Sequence, residues 1–133
     1  MSSNRKALKI VSFVQVIVAV LSFFMAFIAS KGMNIADSIA GLEGVVYVYL
    51  INVVYAVAGV CTLISAVTGI HGANRPSALG SHKLFSILSV VTGLIAAAVH
   101  GLAGGIAWVV LLAAVAGVVA AVLDGRIRKE LDR

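Results

Sequence analysis

The sequence predicts an all-α integral membrane protein: an antiparallel, left-handed four-transmembrane-helix bundle with its N- and C-termini cytoplasmic. Three observations predict it. Apolar residues make up 62% of the 133-residue chain and charged residues 11%, against about 45–50% and about 25% in globular domains. The apolar residues gather into four stretches, each near the ~20 residues a helix needs to cross ~30 Å of hydrocarbon. Basic residues fall in alternate gaps between the stretches. Arg5, Lys6 and Lys9 precede the first; Arg75 and Lys83 separate the second from the third; Arg126, Arg128, Lys129 and Arg133 follow the fourth. Lys31 alone falls on the other side. The positive-inside rule then places both termini and the middle loop in the cytoplasm, with the plasma (inner) membrane as the expected location.

The chain reads as a single domain over residues 1–133. The first span is expected at 8–30. Its apolar run, Ile10–Ala29, exceeds the 7–15 residues of a secretory signal core, and no small-x-small site follows it, so it reads as a retained span. In the outer segment Met33–Gly44, Ile35, Ile39 and Leu42 recur at helical spacing. That pattern predicts a short helix lying in the interface, with a plain loop as the alternative. The second span is expected at 45–70. The following loop, 71–83, holds the only proline, Pro76, and reads as a turn. The third span is expected at 83–99 and the fourth at 103–123.

Each expected span ends on a residue pair containing glycine: Lys31-Gly32, His71-Gly72, His100-Gly101 and Asp124-Gly125. Glycine past a helix takes the left-handed conformation that satisfies the last carbonyls. Lys or His beside it meets the negative end of the helix dipole. The same device separates the third span from the fourth and makes residues 100–105 a tight hairpin. The tail RIRKELDR after Gly125 reads as a charged helix end at the headgroups.

Each span carries a stripe of mostly small or polar residues at three- and four-residue spacing. They are Ser12, Gln15, Ala19, Ser22 and Ala26; then Asn52, Tyr55, Gly59, Thr62, Ala66 and Gly69; then Ser86, Ser89, Gly93, Ala96 and His100; then Ala107, Val110, Ala114, Gly117 and Ala121. Helices associate in lipid through close backbones and hydrogen bonds, so these stripes are the expected seams. Their spacing suits a left-handed bundle. Residues 63–70, LISAVTGI, resemble residues 87–94, ILSVVTGL, which predicts that Ser65 and Gly69 pack against Ser89 and Gly93. An inverted repeat is the more ambitious reading of the same match.

Charge of +5 overall divides by side. It reads as membrane orientation and attraction to anionic headgroups rather than as a nucleic-acid surface. None of the expected spans holds an Asp, Glu, Lys or Arg in its apolar interior, which argues against ion-coupled transport. Gln15 and Asn52 are the only side-chain amides in the spans and differ in depth by about 10 Å, so each needs its own partner. Asn52 and Tyr55, with Trp108 from the fourth span, form a candidate shallow cleft open to the outside. His71, His82 and His100 sit at span boundaries and read as helix caps rather than haem or zinc ligands, so no cofactor or metal is expected. Asp124 reads as a boundary residue near His71 in depth, not as part of a catalytic set. Lone Cys61 reads as a small helix-contact residue.

The function expected from all this is non-catalytic: association through helix faces, or service as an accessory subunit. The alternative is a small homo-oligomeric channel or transporter for a neutral or hydrophobic solute. Expected partners are the lipid bilayer and either further copies of the chain or another membrane protein, with no nucleic acid.

Overall fold

At both ends of the chain charged residues lie within helices instead of ending them. The computed structural model describes residues 2–28, 38–39, 42–102 and 106–131. Its helices are α1 (Ser3–Ile28), α2 (Gly44–Asn74), α3 (His82–Gly101) and α4 (Trp108–Leu131), with a 3₁₀ turn at Pro76–Ala78. All four are long and apolar enough to cross a membrane. At 1.5 Å per residue α2 is about 46 Å long, well beyond ~30 Å of hydrocarbon.

Two of the glycine closures are therefore corrected. His71-Gly72 lies inside α2 and Asp124-Gly125 inside α4. At His100-Gly101 the helix does stop, but its cap residue is Leu102 in right-handed conformation. Lys31-Gly32 lies outside the described residues. Among the described glycines only Gly80 has positive φ, at 53°, in the turn before α3. The physical reason is that the α2 carbonyls find a different partner. Arg5 reaches across from α1, its Nε donating to Ala73 O at 2.8 Å and its Nη2 to Asn74 O at 2.7 Å. A guanidinium does what a left-handed glycine would have done. Gly72 serves packing instead, since a Cβ there would lie 2.3 Å from Leu79 Cδ2.

The expected helix in the outer segment is also corrected where the structure describes it. Ser38–Ile39 pairs antiparallel with Leu42–Glu43, Ser38 opposite Glu43 and Ile39 opposite Leu42. Residues 29–37, 40–41 and 103–105 lie outside the described residues, and with them half of the expected hairpin at 100–105.

Around the bundle, α1 packs on α2 and α4, and α3 on the same two helices. The small and polar stripes face inward: Ser12, Gln15, Ala19 and Ser22 of α1 are buried, as are Ser86, Ser89, Gly93 and Ala96 of α3. Bulky side chains between them, such as Ile17, Phe24, Val67 and Val115, are more than half exposed. Two apolar clusters form inside. Leu8, Ala73, Leu79, Leu123 and Ile127 close the end that carries the termini, and Tyr47, Ile51, Tyr55, Ala96 and Val110 close the other. At the first end Ser2 Oγ accepts from Arg5 N–H and donates to Glu130, tying the start of α1 to the end of α4.

Candidate functional site

Between the two apolar clusters lies a layer of wholly buried polar side chains: Ser12, Gln15, Thr62, Ser65, His82, Ser86, Ser89 and Asp124. Their connection begins at Asp124, on the last turns of α4. Asp124 Oδ1 accepts from Arg128 Nε at 2.6 Å, one turn further along the helix. Its Oδ2 lies 2.7 Å from His82 Nδ1 on α3. Beyond the ring, His82 Nε2 lies 3.2 Å from Ser86 Oγ, which is 2.9 Å from Ser65 Oγ on α2. Ser65 Oγ in turn accepts from Gln15 Nε2 of α1 at 3.1 Å. One side chain or more from every helix takes part.

A single proton arrangement satisfies the whole chain. Gln15 donates to Ser65, Ser65 to Ser86, Ser86 to His82, and His82 and Arg128 both donate to the carboxylate. Every bond then points towards the one anion, so each polarises the next. Arg128 also donates from Nη2 to Gly80 O at 2.8 Å, which anchors the turn that delivers His82. Ser12 Oγ has no hydrogen-bond partner among the described residues. It packs against Gly69, where a Cβ would fall 2.2 Å from Ser12 Oγ and 3.0 Å from His82 Nε2.

This layer corrects the reading of His82 and Asp124 as boundary residues, since both are wholly buried. His82 is the first residue of α3, but its ring points into the core and meets Asp124, not His71, which is exposed. The ordinary cost of placing a carboxylate and an imidazole in the interior is offset because each retains a charged or dipolar partner. His100 lies at the other end of α3, where its Nδ1 is 2.6 Å from Tyr55 Oη.

The expected register between α2 and α3 is corrected as well. Ser65 meets Ser86 rather than Ser89, while Ser89 meets Thr62 at 2.7 Å. Gly69 turns to Ser12 of α1, and Gly93 to Val110 of α4, whose carbonyl would be 2.8 Å from a Cβ. Glycine is needed at these positions by the outer pair of helices, and hydroxyls join the inner pair. The two similar segments nonetheless share local geometry. Thr68 donates to Ile64 O and Thr92 to Leu88 O, both at 2.7 Å. The match ends there: Gln15 of α1 has no counterpart on α4, and Asp124 none on α1.

Of the candidate cleft, Tyr55 is wholly buried and Trp108 is 67% exposed. Ala107 and Val110 pack in the Tyr55 cluster, and Trp108 faces away. Asn52 is half-buried, and its Oδ1 has no hydrogen-bond partner among the described residues. The structure thus brings Gln15 and Ser65 together and leaves Asn52 and Trp108 apart.

Chemically, Asp124, His82 and Ser86 match the order of an acid, a base and a hydroxyl. Ser86 is one turn from His82 on the same helix, is wholly buried, and lies 2.9 Å from the His82 carbonyl, to which it can also donate. A nucleophile must present its oxygen to a reacting atom, and this one is enclosed. The same hydrogen bonds join all four helices. Gln15→Leu is expected to cost no more than about 1.7 kcal/mol in thermal or SDS unfolding, because interhelical bonds in lipid average about 0.6 kcal/mol and Ser65 keeps Ser86. A larger loss would mean that the amide does more than join α1 to α2. Comparison with protein-family models, with curated proteins and with solved structures finds no match to this chain.

Proposed function

We infer that this is a non-catalytic, multi-pass plasma-membrane protein that acts by associating with another membrane protein, as an accessory subunit. In this reading the bundle is antiparallel and left-handed, with both termini cytoplasmic. The antiparallel sense is supported by the pairing order: Ser12, Gln15 and Phe23 meet Gly69, Ser65 and Gly59 in turn. Cytoplasmic termini follow from the placement of the basic residues.

The observation that carries the functional reading is the division of surfaces. Small and polar residues are consumed inside the bundle, whereas two furrows between helices are almost wholly apolar. One furrow of about 260 Å³ runs between α1 and α4, lined by Ile10, Val14, Val18, Leu112 and Val115 among others. Another, about 220 Å³, lies between α2 and α3 along Val53, Val57 and Ile95. Such faces offer shape to a neighbouring helix. They offer no polar path to a solute. A homo-oligomeric channel or transporter for a neutral or hydrophobic solute would need its path between copies, because the internal polar layer gives way to Ala58, Ala96 and the apolar cluster around Tyr55.

Native mass spectrometry of the protein released from nanodiscs made from its own membrane tests the reading. A stoichiometric complex with a different polypeptide is expected. A closed homo-oligomer that retains a small molecule would replace this proposal with the transport alternative.

A further inference from the structure

We propose that the α3–α4 face at the end carrying the termini is a binding site for one anionic phospholipid of the adjoining leaflet. The site is a groove of about 470 Å³ lined by Lys83 of α3 and by Ala121, Val122, Gly125, Arg126 and Lys129 of α4. Three cations therefore share one mouth, and among the described residues no carboxylate lines it. The proposal rests on the chain spanning a bilayer and not on the associative role argued above.

These three differ from the cations that hold the fold together. Arg5 caps α2, Lys9 Nζ donates to Asn74 Oδ1, and Arg128 holds Asp124. Lys83, Arg126 and Lys129 are exposed and make no hydrogen bond or ion pair with any described residue. Glu130 points elsewhere, to Ser2 and Asn4. Asp124, the nearest acid along α4, is closed off between His82 and Arg128. Among the described residues, then, no acid compensates the positive charge of the groove.

Below the charges the surface is greasy. Ile87 and Val91 continue the Lys83 face of α3 at four-residue spacing, 46% exposed each. Val118 continues the Val122 face of α4, both 50% exposed. Ala121 and Gly125 supply a shallow floor between the two rows. A cationic mouth above paired apolar rows is complementary to a phosphate-bearing headgroup above acyl chains, with the Lys and Arg stems lying along the hydrocarbon. A free anion would match the mouth but have no use for the rows.

The test uses the delipidated full-length protein in detergent, titrated with phosphatidylglycerol or phosphatidylcholine and read by native mass spectrometry. One phosphatidylglycerol is expected to bind in preference to phosphatidylcholine. The pair Lys83→Gln/Arg126→Gln should weaken it roughly thirty-fold, about fivefold per cation near a headgroup. Arg126→Gln/Lys129→Gln should do the same. The charge-matched control Lys6→Gln/Arg75→Gln, outside the groove, should leave it within about twofold. Equal loss in the control would reduce the effect to general surface charge and overturn the site. So would equal binding of phosphatidylcholine, or displacement of the lipid by inorganic phosphate, which would assign the mouth to a free anion.

Discussion

Asp124→Ala is expected to lower the stability of the bundle by about 1–3 kcal/mol, the scale for leaving a buried hydrogen-bond donor without its acceptor. The carboxylate is wholly buried and accepts from two side chains. Its loss leaves His82 Nδ1 in the interior with no acceptor. Arg128, 43% exposed, turns to water at smaller cost. His82→Ala should also destabilise, because it leaves the carboxylate with Arg128 alone. The double variant should be less harmful than the two losses added, by about 0.5–3 kcal/mol for side chains in direct contact. Asp124→Asn, which keeps an acceptor oxygen but loses the charge, should fall between wild type and alanine. Reversible SDS unfolding followed by circular dichroism measures all four. Simple additivity, or a neutral Asp124→Ala, would show that the pair does not form in the bilayer.

That pair also marks where the sequence stops being legible. Four spans, their order and the inward stripes follow from periodicity and hydropathy, since burial in lipid selects small and polar residues by helical spacing. Helix ends were less legible. Hydropathy falls off where charge begins, yet α1 starts five residues before Leu8 and α4 runs eight beyond Leu123. Glycine reinforced the error, because Gly72 and Gly125 look like terminators while one answers to Leu79 and the other to open space. Asp124 and His82 lie 42 residues apart, each beside a run of surface charge. Only the register of α3 against α4 brings them together, and a single sequence does not encode that register in any local pattern. The Ser65–Ser89 expectation failed for a related reason. Two similar segments suggested their own mutual pairing, but each glycine was already required by an outer helix.

Gly117→Ala and Gly93→Ala are each expected to cost about 1–3 kcal/mol, the range for overfilling a packed interior. A Cβ on Gly117 would lie 2.9 Å from Ser86 O and 2.8 Å from Val90 Cγ2; one on Gly93 would lie 2.8 Å from Val110 O. Two of these obstacles are backbone, so relief requires α3 and α4 to part. Gly125→Ala offers the opposite result on the same helix. Nothing lies within 4 Å of its added carbon, and alanine in a helix interior is favoured by about 0.5–1 kcal/mol. Thermal unfolding in one detergent should therefore split three identical substitutions by sign. The separation also tests the polar layer indirectly. Ser86 supplies both the carbonyl that faces Gly117 and the hydroxyl that joins His82 to Ser65. If helix spacing sets that chain, Gly117→Ala should partly mask the effect of Asp124→Ala when the two are combined. Full additivity would mean that the glycine seam and the polar layer hold α3 to α4 independently.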